Sequence, residues 1–275
     1  MSTLGRLLLR LGKLEESKHI QTYRGPTTFK DQIAQMHSAM LPNVAQMQRL
    51  AHQSAKTRLN TQVKNFGNLT LSRFRQIARG EFSAELALRD VKEEFRQLYH
   101  EAFALGMSGS TAGLHSTSEL ISLEDRRWVD SSFNHEMRFF NRFIGQVVNR
   151  ELSPGQIDNR VQMYLNAVRG VYEAGRVVGT HPNSLIYWVY NPEAHHCMSC
   201  LYLRDHSPFT KKTIPKTPQA GATECLSNCK CHLRIQISDP EIVKQVESRS
   251  TSKAAHISCL NQLKRRRTSK FGSQR

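Results

Sequence analysis

The sequence predicts a mainly α-helical protein: a helical domain with a small zinc-stapled β-hairpin-like element and a disordered or extended basic C-terminal tail. Three observations lead there. Apolar residues recur at helical spacing over long stretches between Leu88 and Tyr172. The pattern then changes to strand-like segments that enclose five clustered cysteines. The last 27 residues, 249–275, hold eight Lys or Arg and no Asp or Glu. The expected organisation is an N-terminal helical or extended assembly segment (1–66), a helical domain (67–180), a two-stranded Cys-rich zinc-binding element (181–240) and a basic tail (241–275).

From Phe29 to about Asn65 the chain is rich in Gln, Ala, Met and His, with Pro42 in its midst. Two helices are expected, because an interior proline removes a hydrogen bond and crowds the preceding turn. A second block opens at Asn68. Beyond it, Leu88, Val91, Phe95, Leu98, Ala102 and Leu105 are spaced 3, 4, 3, 4, 3, the stripe of a helix packed on another helix. Ser83 fits its N-cap and Gly106 its C-terminal stop. The segment GMSGSTAGLHSTSEL, with Gly106, Gly109 and Gly113, has no preceding strand and no Gly-Lys-Ser/Thr ending, so it reads as a flexible linker rather than a phosphate loop.

Ser122 and Asp125 stand at capping-box spacing before Val129, Phe133, Met137, Phe140, Ile144 and Val147, a helix expected to end near Glu151. Trp128, Phe133, Phe139, Phe140 and Phe143 form an aromatic stripe whose helical spacing indicates core packing rather than a stacking platform. The next start combines a Ser153 cap, Pro154 at the first helical position and Gln156 reaching back. Ile157, Val161, Tyr164, Leu165, Val168 and Tyr172 are its buried stripe, with Gly175 and Gly179 marking a fraying end. LIYWVY (185–190) and HLRIQIS (232–238) read as two paired strands, and a short helix is expected from Asp239-Pro240 to about Val246.

Composition narrows the function classes. The 275 residues carry 39 Lys+Arg against 23 Asp+Glu, a formal +16, which points to an anionic partner such as nucleic acid, an acidic protein surface or anionic lipid. Hydrophobic content of 39% and a mean hydropathy of −0.52 lie below the usual globular mix, so part of the chain is expected to be exposed, extended or partner-dependent. The longest strongly apolar run, Leu185 to Tyr190, is far short of the roughly 20 residues a spanning helix needs. The N-terminal MSTLGRLLLRLGKL has Arg6 and Arg10 inside its apolar stretch and fits a secretory signal poorly. It reads as an organelle-type presequence or a short amphipathic docking segment.

Between Asn191 and Leu233 a Cys-x-x-Cys (Cys197, Cys200) precedes a Cys-x-x-x-Cys-x-Cys (Cys225, Cys229, Cys231). Cys-x-x-Cys turns two thiolates onto one ion, and a second pair closes a tetrahedral site. The expected ligands are Cys197 and Cys200 with two of Cys225, Cys229 and Cys231. His195, His196, His206 and His232 lie close enough in sequence to keep the set open. A loop of this length, rich in Pro, Thr and Lys, has little to bury, and a structural Zn2+ offsets the cost of ordering it. The competing readings are one or two disulfides, free thiols, or a catalytic zinc. Cys259 stands alone in the tail and reads as an incidental thiol.

The order of these features carries a resemblance: a helix ending in YHEAFALG, an acidic-basic RRW helix, a helix reading MYLNAVRGVYEAGRV, a Trp-bearing strand, then HCMSC, TIPKTP and GATECLSNCKCHL. Over roughly 70 to 238 this resembles the minor head, or head-morphogenesis, proteins of tailed bacteriophages of the Mu type. In that family a Cys-x-x-Cys is followed by a proline-rich segment and a Cys-Arg-Cys commonly preceded by His-Pro. Cys229-Lys230-Cys231 matches the latter with Lys for Arg, and Cys225 falls near the family's His, a departure that leaves the ligand set open. The resemblance implies a non-enzymatic virion protein, made in the bacterial cytoplasm and built in several copies into the head near the portal. Portal and major capsid proteins would be its partners, and capsid assembly or DNA packaging and retention its role.

No Gly-x-Ser-x-Gly elbow, Walker loop, His-Glu-x-x-His or Rossmann fingerprint occurs. The His195-His196 pair raises a zinc-supported nuclease, although that type would place its pair between the knuckles. A cellular zinc-containing DNA-binding protein is the other rival. Lys264, Arg265, Arg266, Arg267 and Lys270 are the candidates for contact with packaged DNA or an acidic capsid surface, with affinity expected to fall steeply with salt.

Overall fold

The structure, a computed structural model, describes residues 29–110, 121–221 and 223–249. The N-terminal apolar segment, Gly113, Cys259 and the cations from Lys264 to Lys270 lie outside the described residues. The order is α1 (Phe29–Arg79), α2 (Ala84–Ser110), α3 (Leu123–Val148), α4 (Pro154–Val178), β1 (Ser184–Val189), α5 (Met198–Asp205), a 3-10 turn (Leu226–Asn228), β2 (His232–Ile237) and α6 over residues 240–249. The described residues divide into two compact units, one ending at Val44 and the other beginning at Ala45. No helix among the described residues is long and apolar enough to cross a membrane.

Local signals set several boundaries as expected. At α3, the Ser122 hydroxyl accepts from the Asp125 N–H, and the Asp125 carboxylate accepts from the Ser122 N–H, a complete capping box. At α4, Ser153 and Gln156 reciprocate in the same way with Pro154 opening the helix. The Ser83 carbonyl accepts from the Ala87 N–H at the start of α2. Two helices end in the same device. Gly80 (φ 76°) donates to the Ile77 carbonyl and Glu81 to that of Gln76, while Arg150 (φ 57°) donates to Val147 and Glu151 to Gln146. Each pair satisfies two carbonyls that the helix leaves open. The α3 helix therefore stops at Val148, slightly before the expected Glu151.

Three expectations are corrected. Residues 29–65 form no pair of helices; α1 runs unbroken through Pro42 and through 66/67 to Arg79. One proline removes a single backbone hydrogen bond, which a long helix tolerates, and beyond it Ala55, Leu59, Val63, Phe66, Phe74 and Ile77 lock α1 into the core. Gly106 is no stop either, because α2 continues to Ser110 and takes in Gly109 as well. Nor does Gly175 mark fraying: it lies inside α4, and only Gly179 is a cap.

These glycines share one physical role. A Cβ on Gly106 would collide with the Tyr172 carbonyl, one on Gly175 with the Phe103 carbonyl, and one on Gly179 with Met107. They let the backbones of α2 and α4 approach more closely than side chains allow. Around this seam lie the expected stripes, with Val91, Phe95, Leu98, Ala102 and Leu105 of α2 and Ile157, Val161, Tyr164, Leu165, Val168 and Tyr172 of α4 all buried. Phe74, Phe95, Phe140, Phe143 and Tyr164 meet in tilted or edge contacts at 4.9–6.3 Å between ring centres, the favoured aromatic geometry. The aromatic stripe of α3 is core at Phe133, Phe140 and Phe143, but Trp128 (42% exposed) and Phe139 (51%) face outward. Five aromatics within sixteen positions span more of the helix circumference than one buried face.

A helical Gly→Ala change ordinarily gains up to about 1 kcal/mol by restricting the unfolded chain. A methyl group on Gly145 of α3 would meet nothing within 4 Å, so Gly145→Ala should raise the melting temperature. Gly106→Ala and Gly175→Ala should instead lower stability by about 1–3 kcal/mol, because the helices must part. Thermal unfolding of the three variants checks the contrast.

Beside the same core the Tyr172 hydroxyl is hydrogen-bonded to His52 Nδ1 at 2.7 Å. Burial, then the charges of Arg176 and Lys56, lower the His52 pKa from 6.5 to about 4. The unfolded chain thus binds an extra proton between those values, and the stability His52 contributes is present above pH 6.5 and lost as pH falls toward 4. In urea titrations the stability advantage of the parent over His52→Gln should shrink across that window.

Candidate metal centre

The Cys-rich element is built on two strands. β1 and β2 pair antiparallel, with Ile186 opposite Ile235 and Trp188 opposite Leu233. Alternation puts these four on one face, where they join Leu203, Phe209 and the cysteines in a small core that also takes in Val177 of α4. On the other face Arg234 lies 4.9 Å from the Tyr187 ring. Phe209 exchanges two backbone hydrogen bonds of 2.7 Å with Ile186, adding a third segment beside the pair.

Each thiol is placed by a local turn. Cys197 is the N-cap of α5, and its carbonyl accepts from the N–H groups of Cys200 and Leu201, the bend that turns both thiols of a Cys-x-x-Cys to one side. Cys225 and Cys229 bracket the 3-10 turn, whose carbonyl at Cys225 accepts from the Asn228 N–H. Cys231 immediately precedes β2, so strand pairing fixes its position.

The fold brings all five cysteines together. Sγ of Cys225 lies 3.5 Å from those of Cys197 and Cys200, and Sγ of Cys229 lies 3.5 Å from that of Cys200. Two triads result, Cys197–Cys200–Cys225 and Cys200–Cys229–Cys231, with ligand atoms within 4.8 Å of one another and Cys200 in both. Thiolates around one tetrahedral ion at about 2.3 Å stand roughly 3.8 Å apart, so this spacing suits a metal. A disulfide needs about 2.05 Å, and all five thiols are free. The cluster can hold a metal ion.

Electrostatics point the same way. Burial, then the adjoining Cys229 and Cys197, push the Cys200 thiol far above its ordinary pKa. Crowding by Cys231, then burial, does the same to Cys229, and Cys225 is raised chiefly by burial. At Cys197 burial acts upward but is outweighed by the Cys200 N–H and the Cys225 contact, and the net shift is downward. Several thiolates cannot coexist here unaided. A divalent cation, when bound, would supply the opposing charge and displace the protons.

The histidines occupy different positions. His196 Nε2 lies 2.6 Å from the Asn191 carbonyl, an arrangement that needs its proton on Nε2 and turns Nδ1 to Cys231 Sγ at 3.9 Å. His195 and His232 are exposed, and His206 is bonded to the Tyr202 carbonyl and stacked on that ring. The structure thus brings His196 to the edge of the cluster and does not gather the other three there.

Sequence spacing pointed to none of the residues that hold the cluster in place. Gln219 (φ 64°) donates through Nε2 to the Cys229 carbonyl at 2.9 Å, and Glu224 accepts from the Met198 N–H. The Gln219 backbone rests on Gly170 of α4, where a Cβ would meet it at 2.5 Å. Buried Arg176 of α4 pairs with Glu173 and donates to the Leu233 carbonyl at 3.0 Å. No family model, curated protein or solved structure matches the chain.

Because Cys200 belongs to both triads, Cys200→Ser should reduce metal affinity more than Cys197→Ser or Cys231→Ser. Competition against a chromophoric chelator ranks the three. Each substitution should also make residues 184–237 more sensitive to limited proteolysis while leaving α2 to α4 resistant.

Proposed function

We propose that this is a non-enzymatic structural protein of a tailed-bacteriophage head, with one structural Zn2+ held by four of the five clustered thiolates. The observation that carries the reading is the position of the cluster. It joins two distant parts of a segment that has a small core of its own, Cys197 and Cys200 on one side and Cys225, Cys229 and Cys231 on the other, as a stapling ion does. Zinc suits the donor set, since sulfur-rich tetrahedral sites select it and it brings no redox chemistry of its own.

The order of segments on which the phage resemblance rests supports the rest: YHEAFALG lies in α2, RRW in α3, MYLNAVRGVYEAGRV in α4 and the Trp in β1. In this reading the protein is made in the bacterial cytoplasm and built into the head near the portal, against portal and major capsid proteins. It assists capsid assembly or DNA packaging and retention. The basic tail contacts packaged DNA or an acidic capsid surface.

Two measurements test this. Elemental analysis of protein purified under reducing conditions should give one zinc per chain, and a metal-free preparation with intact fold would overturn the staple. Purified particles from the bacterial strain that encodes the chain should contain it at a fixed ratio to the portal protein. Its absence from particles, or metal-dependent cleavage of DNA that is abolished in His195→Ala/His196→Ala, would sink the structural assignment.

A further inference from the structure

The charge on α1 has a distribution that neither the metal centre nor the helical core uses. From residue 32 to residue 80 there is no Asp or Glu, and there are seven Lys or Arg. With 23 acids in 275 residues, about four would be expected in a stretch of that length. An ordinary solvated helix interleaves both signs, because opposite charges at i, i+4 support it. Between residue 32 and its end at Arg79 the helix carries no carboxylate on any face.

Three of the seven cations are engaged locally, the first being Arg73, whose guanidinium lies 4.4 Å from the centre of the Phe82 ring. Arg75 is neutralised by two 3.1 Å hydrogen bonds to the Asp158 carboxylate, and Arg79 by Glu81 at 2.8 Å. Arg49, Lys56 and Lys64 are exposed and have no ion-pair partner among the described residues. They recur at intervals of seven and eight residues, about two helical turns, and so share one face over roughly 22 Å. Exposed Gln53 and Asn60 stand between them. The buried residues Ala55, Leu59, Val63 and Phe66 hold the adjoining face of α1 in the core, so the stripe sits on a rigid support, and exposed Arg58 lies on another side of the helix.

We infer that this face of α1, through Arg49, Lys56 and Lys64, binds the phosphate backbone of duplex DNA. Cations spaced along a straight element, with side-chain amides between them, are the groups that contact phosphate and sugar without reading sequence. The inserted amides favour this over an acidic protein surface, for which charge alone would suffice. The absence of carboxylates matters because each one facing a polyanion would be repelled. Such binding requires neither the phage reading nor the metal, and it is separate from the basic tail.

The test uses the full-length protein and a fluorescent duplex of mixed sequence, followed by anisotropy across a salt series. In the variant Arg49→Gln/Lys56→Gln/Lys64→Gln the affinity should fall about tenfold or more. The slope of log K against log salt should become shallower by about 2–3, near 0.9 for each phosphate that is no longer neutralised. The charge-conserving Lys56→Arg/Lys64→Arg should bind as the parent does, and circular dichroism should show unchanged helix in both. A second arm replaces Lys264, Arg265, Arg266 and Arg267 with Ser, so that binding through the tail is read separately. If the α1 variant keeps the parental affinity and slope, the inference is overturned. If polyglutamate displaces the duplex as effectively as unlabelled DNA of equal charge, the face is a general anion surface and the DNA assignment fails.

Discussion

Five thiols within a few ångströms cannot all be ionised without a cation among them, and cannot all be neutral if they are to bind one. That constraint bears on the described residues from Ser184 onward, where all five lie. Cys197 and Cys200 come from the start of α5, Cys225 and Cys229 from either side of a 3-10 turn, and Cys231 from the residue before β2. Beside them the segment has a small apolar core built on Ile186, Trp188, Leu203, Phe209 and Leu233. The raised thiol pKa values of Cys200, Cys225 and Cys229 are the electrostatic trace of a site arranged for a positive charge.

The Cys-rich element rests on α4. One side of α4 meets α2 along glycines that bring the two backbones together. Farther round, Gly170 admits the Gln219 backbone, Asn166 lies near Asn228, and Arg176 reaches the Leu233 carbonyl. Burying Arg176 is tolerable because Glu173 pairs with it at 2.8 Å and the carbonyl takes a further proton. One helix therefore serves the bundle and the metal element at once, which explains why so many of its positions, small and polar ones included, are buried.

Net charge, first a single figure of +16, divides into parts with different structural settings. Eight positive charges belong to residues 249–275, seven lie in the acid-free stretch of α1, and the helices α2 to α4 mix signs and pair many of them. On α3, Asp130 shows the ordinary case: burial works against it, but hydrogen bonds from His100 and Arg96 more than compensate and its pKa falls. The exposed Arg49, Lys56 and Lys64 of α1 have no such compensation among the described residues, and their concentration on a rigid helix is a property of the folded surface.

What the sequence determined by itself is everything decided within a few residues: the caps of α3 and α4, the periodic stripes of α2 to α4, the two strands and the Cys-x-x-Cys turn. Capping and amphipathic spacing act over one or two helical turns, so Ser122, Asp125, Ser153, Pro154 and Gln156 are readable as they stand. The clustering of the cysteines was legible, but not the sharing of Cys200 between two triads, nor the supports Gln219, Glu224 and Arg176. Only tertiary structure decided the meaning of Gly106 and Gly175, which look like helix ends in sequence and are contact points in space, because what a glycine does depends on whether another backbone lies against it. The same holds for Pro42, passed by a helix anchored farther along, and for Trp128 and Phe139, left outside because one face of α3 cannot bury five aromatics. Local chemistry chooses elements, whereas the approach of distant backbones chooses which residues matter between them.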